Sequence, residues 1–197
     1  MELKGKTALI TGGAHRVGRA ITLAFAKAGA NVVINYRSSA DEAQATAAEA
    51  EALGVSALPY QADVSDWPQV QAMAKAAQER FGGVDVLVNS ASIFITTPFP
   101  MQDFSNWHKV TSVLIDGALY CANAVAPMML EKGEGAMVFI VDLSAWEPWP
   151  NFAAHSIGKA ALLALSRQLA MELAPAVRVN AVAPGPVMPP ESYSPAK

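Results

Sequence analysis

Cysteine is all but absent: Cys121 stands alone in 197 residues. One thiol builds neither a disulfide framework nor a thiolate metal site, and its apolar neighbours in a helical run mark it as core rather than nucleophile. Charge is scarce too, at 16% of residues against 52% hydrophobic, which excludes a disordered chain and points to a sheet buried on both faces. With 14 basic and 17 acidic residues there is no basic field, so nucleic acid is excluded as a partner. The three histidines do not fall at ligand spacing, which excludes a metal centre. No apolar run approaches the roughly 18 residues of a membrane helix, and the first strand opens too close to Met1 to leave room for a signal peptide. These absences predict a soluble, cytoplasmic, single-domain protein over residues 1–197 that meets a small-molecule substrate and no membrane.

What is present is alternation. Residues 6–28 open with an apolar run, Thr7 to Ile10, that stops at Thr11-Gly12-Gly13; apolar residues then recur at Val17, Ala20, Ile21, Ala24, Phe25 and Ala28 with a helical period. Strand, glycine turn and helix follow from that pattern. Further strands are predicted at 31–36, 55–61, 84–89, 135–143 and 177–183, and helices at 39–54, 65–82, 104–131 and 153–173. Ser39 caps the second helix and Gly54 stops it, Pro68 sits in a first turn, and Pro127 marks an early end or a kink. Strands alternating with helices six times define a doubly wound parallel α/β sheet in three layers, a Rossmann fold, with ligands at the carboxyl ends of the strands. Residues 93–102, with two prolines, form a loop over that edge, and the Pro-rich 185–197 a flexible tail.

A helix that starts just past a buried parallel strand turns unpaired N–H groups and its positive dipole end toward the crevice, where a phosphate fits. Gly12, Gly13 and Gly18 allow the tight turn, the close approach of a pyrophosphate and the packing of helix on strand. Taken alone, the motif is equally a turn without a ligand. About 20 residues further on, where an acid would hold the ribose of NAD, stands Tyr36-Arg37-Ser38-Ser39. A guanidinium among hydroxyls suits a 2′-phosphate, and Arg16 can converge on the same group, so NADPH (NADP+) is the expected cofactor. A solvated surface arginine is the competing account of Arg37.

The chain resembles the short-chain dehydrogenase/reductases over essentially its whole length. Thr11-Gly12, Arg16 and Gly18 follow that family's TGxxxGxG turn with Arg in the middle glycine's place. Asp63-Val64 resembles the segment that holds adenine, Asn89-Ser90-Ala91 the NNAG motif, and Pro184-Gly185-Pro186-Val187 the PG motif beside the nicotinamide. The resemblance implies cofactor contacts from these positions, including His15 and Val17 in the turn and Tyr36, Arg37 and Ser38 behind it. Asp63 is alternatively an ordinary helix cap. Within the family the pattern is most similar to pteridine reductases, which share Arg16, an Asn-Ser-Ala-Ser type segment followed by an aromatic, and an Asp in place of Ser at 142. That implies substrate contacts from Ser92 and Phe94, with Phe94 either stacking on a flat pterin ring or anchoring its loop.

The family's active site is Asn, Ser, Tyr and Lys, and this chain departs from it three times. The Tyr-x-x-x-Lys motif appears as His155-Ser156-Ile157-Gly158-Lys159, the Ser position is Asp142, and the Asn position falls at Leu114. By resemblance Lys159 bonds the nicotinamide ribose and lowers the pKa of the neighbouring acid. For a phenol starting near 10 that is useful; for an imidazole starting near 6.5 it leaves a poor acid unless an anion compensates, and Asp142 is the available anion. Asp142, His155 and Lys159 are therefore the catalytic candidates, with Asp142 and His155 as a proton relay; His155 is otherwise a binding or structural residue in a cofactor-holding protein with little turnover. Trp146 and Trp149 line the substrate mouth or cover the core edge, the second being the expected role. Family members continue past the PG motif through a lid and a seventh strand, so the chain reads as truncated, with a homodimer through its two long helices, or a homotetramer, implied by the resemblance.

Overall fold

The computed structural model describes residues 1–185, 187 and 188. Six parallel strands form one sheet in the order β3-β2-β1-β4-β5-β6: β1 Thr7–Ile10, β2 Asn31–Tyr36, β3 Ala57–Gln61, β4 Val86–Asn89, β5 Gly135–Ile140 and β6 Val177–Val182. The order reverses between β1 and β4, which opens a crevice at their carboxyl ends. The expected doubly wound sheet is the one observed. The tail expected at 185–197 lies almost wholly outside the described residues.

Period-two alternation decides which face each strand residue serves. Leu9, Val33, Leu87 and Met137 turn to one side, with helices α3 Trp67–Phe81, α5 Gly117–Lys132 and α6 Ala153–Glu172. Ala8, Ile10, Val32 and Ile34 turn to the other, with α1 Arg16–Lys27 and α2 Ala40–Ala52, whose Ala43, Ala47 and Ala50 let the helix lie close on the sheet. Each large side chain so buried contributes about 1.5–3 kcal/mol. At the amino edge, Asp85 accepts from Thr7 N at 2.8 Å and pairs with Lys132, while Lys6 bonds Glu134 at 2.7 Å.

Three differences from the expected elements have physical causes. β5 stops at Ile140 rather than 143, because the Asp142 carboxylate accepts Ser144 N at 2.9 Å and starts a short 3-10 turn, Leu143–Ala145. Pro127 does not end its helix; it sits on the exposed side, and the helix runs on to Lys132, where Gly133 in the left-handed region closes it. The stretch Ser105–Lys132 is one continuous helix, α4 Ser105–Thr111 joined to α5 by a π turn, Ser112–Asp116, and it meets the length and composition of a membrane span, contrary to the expectation that no such run exists. Its apolar stripe, Cys121, Ala122, Val125 and Met129, belongs to the core beside the sheet.

Candidate active site

Two cavities meet along the carboxyl edge of the sheet, on either side of the turn between β1 and α1. The smaller, about 160 Å³, is lined by Gly12, His15, Tyr36, Arg37, Ser38 and Asp63, with Val64, Ala91 and Ser92. The larger, about 580 Å³, is lined by Arg16, Phe94, Asp142, Trp149, His155 and Lys159, with Val17, Ser92, Pro184, Gly185 and Val187. All the predicted site residues except Gly18 and Asn89 line one cavity or the other. Gly18 lies beneath the turn, where a Cβ would come within 2.0 Å of Gly12 O. Asn89 is buried and reaches inward to Ala118 O at 3.4 Å.

The turn is held from below, with Gly12 N and Gly13 N bonded to Asn35, and the N–H groups that carry no side-chain cap are those at the start of α1. Thr11 Oγ1 accepts from Ser90 N at 2.9 Å and Ala91 N at 3.0 Å, and Thr22 Oγ1 donates to Gly13 O at 3.0 Å. Asn35, which sequence reasoning missed, ties the turn to β2 and β3: its Oδ1 accepts from Gly12 N at 3.2 Å and its Nδ2 donates to Ala62 O at 3.0 Å. An Asn set in an otherwise apolar strand is the signal that could have found it. At the start of α1, His15 makes no side-chain cap and the first turn carries no acid, whereas α2 begins with Asp41 and Glu42 and α3 is capped by Asp66. An uncapped helix start over a glycine turn fits an anionic phosphate. A Cβ on Gly12 would press within 3.1 Å of Ala91 Cα, so the two walls of the crevice need a glycine there.

Arg16 and Arg37 do not converge. Arg16 occupies the left-handed region at φ 49, the conformation for which the family's glycine suits this position, and its guanidinium turns into the larger cavity, donating to Met188 O at 3.3 Å. Arg37 faces the smaller cavity. Asp63 does not cap α3; Asp66 does, while Asp63 Oδ1 accepts from Ser65.

In the larger cavity Asp142 and His155 are paired, His155 Nε2 lying 2.7 Å from Asp142 Oδ2. The Ser144 hydroxyl bonds the other carboxylate oxygen. Burial alone would raise the Asp142 carboxyl, but the hydrogen bonds from His155 and Ser144 and the charge of Lys159 outweigh it and hold the group at about 2. Lys159 is buried, which lowers its pKa against the opposing pull of Asp142, and its Nζ donates to Ile140 O at 2.7 Å. His155 is 3% exposed, and its Nδ1 is buried without a partner. Aromatic rings enclose it: Trp149 stacks at 5.9 Å, and Phe94, itself stacked on Phe152 at 4.3 Å, stands edge-on at 4.8 Å. Trp149 thus lines the cavity rather than covering the core edge, and Trp146 is half-exposed. Leu114 lies in the π turn, 1% exposed, where it packs with Val110 and Ala154 and would meet a Cβ on Gly158. At the position where the resemblance expects the family's Asn, the chain has an apolar plug.

A parallel sheet ordered 3-2-1-4-5-6, a glycine turn under an uncapped helix and a buried lysine four residues beyond a histidine paired with an aspartate are the fold and site of an oxidoreductase class. The family model described as short chain dehydrogenase matches residues 6–193, and the chain belongs to that family. It is 37% identical over 186 residues to 3beta-hydroxysteroid dehydrogenase 1 of Eggerthella lenta, covering 93% of this chain and 71% of the relative. It is 36% identical over 181 residues to the 3-oxoacyl-[acyl-carrier-protein] reductase FabG of Staphylococcus epidermidis, covering 91% and 74%. The solved structure of NAD+-bound xylitol dehydrogenase superposes with a TM-score of 0.89 at 27% identity, covering 94% of this chain and 72% of that one. These names are of hydroxyl and carbonyl chemistry, and none is a pteridine reductase.

Proposed function

We propose that the chain is an NADPH-dependent oxidoreductase that reduces a carbonyl, or a pterin-like C=N bond, in a small-molecule substrate. The observation that carries the reading is the cleft itself: an uncapped helix start and Arg37 at one end, and Lys159 beside the Asp142–His155 pair at the other, both on the carboxyl edge of one parallel sheet. When bound, the cofactor supplies hydride. Gly12, Val17, Gly18, Ala91 and Val64 shape its bed, with Asn89 fixing β4 from within, and Arg37, Tyr36 and Ser38 hold the 2′-phosphate end. Pro184, Gly185 and Val187 flank the nicotinamide end. Lys159 orients the ribose, Asp142 and His155 deliver the balancing proton to the substrate oxygen or nitrogen, and Ser92 and Phe94 position the substrate. Carbonyl reduction is the first choice, because one similar relative is named a 3-oxoacyl reductase and another a hydroxysteroid dehydrogenase, a hydroxyl–carbonyl pair of names; Arg16, Asp142 and Phe94 support the pterin-like alternative. A cytoplasmic homodimer or homotetramer acting without membrane or nucleic acid accords with this reading.

A second reading, a cofactor-holding protein with little turnover, is favoured by one observation: His155 is sealed under aromatic rings with Nδ1 unpartnered. Two measurements on one sample separate them, NADPH binding by fluorescence and NADPH oxidation against dihydropterins, quinones and β-ketoacyl thioesters. Binding with oxidation of at least one class supports the reductase; saturable binding with no oxidation supports the second reading.

A further inference from the structure

The smaller cavity contains an acid, Asp63, for which the resemblance implies only an adenine contact. Arg37 and Asp63 both line this cavity and face each other, Arg37 Nη1 lying 3.9 Å from Asp63 Oδ2. The carboxylate is anchored: Oδ1 accepts from Ser65 N at 2.9 Å and Ser65 Oγ at 2.6 Å, and Asp63 N donates to Gln69 Oε1 at 2.9 Å. Arg37 is tied to the same strand end, since Gln61 Nε2 donates to its carbonyl at 3.0 Å. Arg16 offers no second cation here, because it is committed to the larger cavity. The carboxylate therefore offsets part of the guanidinium's pull at this end. An incoming phosphate that engages Arg37 must share the guanidinium with a fixed carboxylate, and like charges brought to one cation repel.

Resting on the NADPH reading above, we propose that Asp63 is a specificity-determining residue: it competes with the 2′-phosphate for Arg37 and so limits the preference for NADPH over NADH. A carboxylate that merely touched adenine would act on both cofactors alike, since they share that ring.

The test is a fluorescence titration of the full chain with NADPH and with NADH. Asp63→Asn keeps the shape and removes the charge, and it tightens NADPH about threefold to tenfold while NADH changes by less than about twofold, the gain shrinking as salt is added. In an Arg37→Ala background the same substitution changes neither cofactor, which closes a double-mutant cycle. An equal shift for both cofactors, no shift, or weaker NADPH binding overturns the proposal while leaving the NADPH reading in place, provided Arg37→Ala costs NADPH about tenfold or more. If Arg37→Ala leaves NADPH binding intact, the NADPH reading falls and the proposal falls with it.

Discussion

The two ends of the cleft treat their polar groups in opposite ways. Under α1, donors are left free: the helix start has no cap and no acid, and Arg37 is half-exposed beside a weak ion pair. Under α6, donors are committed inside the protein: Lys159 to Ile140, His155 to Asp142, and Ser144 to the same carboxylate. The first end is preformed for a ligand that brings negative charge. The second is already satisfied within itself, apart from one histidine nitrogen, so a substrate there must work through groups that are positioned by one another.

The contrast breaks most completely at Gly18. A methyl group there meets Gly12 O at 2.0 Å, backbone against backbone, so Gly18→Ala lowers NADPH affinity by more than about 100-fold and stability by about 3 kcal/mol, read by fluorescence titration and urea unfolding. At the other end, Lys159→Ala lowers NADPH oxidation by about 100-fold or more, because it removes the cation beside Asp142 and leaves Ile140 O unpaired; steady-state kinetics check it. His155→Ala lowers turnover by about 100-fold at unchanged NADPH affinity if the relay operates. An unaffected His155→Ala alongside a His155→Tyr that gains orders of magnitude would end the relay. The smallest effect is on stability in acid. The Asp142 carboxyl sits at about 2, below its ordinary value of 3.8, so its contribution is present above the ordinary value and is lost as pH falls from there through about 2. Asp142→Asn flattens that part of the stability curve, measured by urea midpoints across the acid range.

The fold was legible because its signal is periodic and repeated. All six strands and the helices between them fell where apolar alternation and glycine stops placed them, most boundaries within two residues, and the larger departures, at Asp142 and Pro127, came through side-chain turn chemistry and solvent exposure that periodicity does not carry. The cofactor end was legible as far as residue type fixes position: glycines and a strand-end arginine have one place to go. Where a long side chain has two, sequence failed. Arg16 was expected beside Arg37 and turns the other way, because its left-handed backbone aims it across the turn toward Met188. The Asp142–His155 pairing was readable from paired departures thirteen positions apart, but the aromatic enclosure by Trp149, Phe94 and Phe152 joins two loops far apart in the chain, and no local pattern announces it. Asn35 was missed because a polar residue in a buried strand was read as part of the strand and not as a bridge.

The central claim is hydride transfer from NADPH, and isotopic labelling tests it most directly. NADPH deuterated at the transferring position of the nicotinamide is incubated with the purified chain and the substrate panel, and the products are weighed by mass spectrometry. Deuterium on the reduced carbon of at least one product, lost in Lys159→Ala, is the predicted result. Deuterium retained wholly in bound cofactor, with no labelled product from any class, would contradict it.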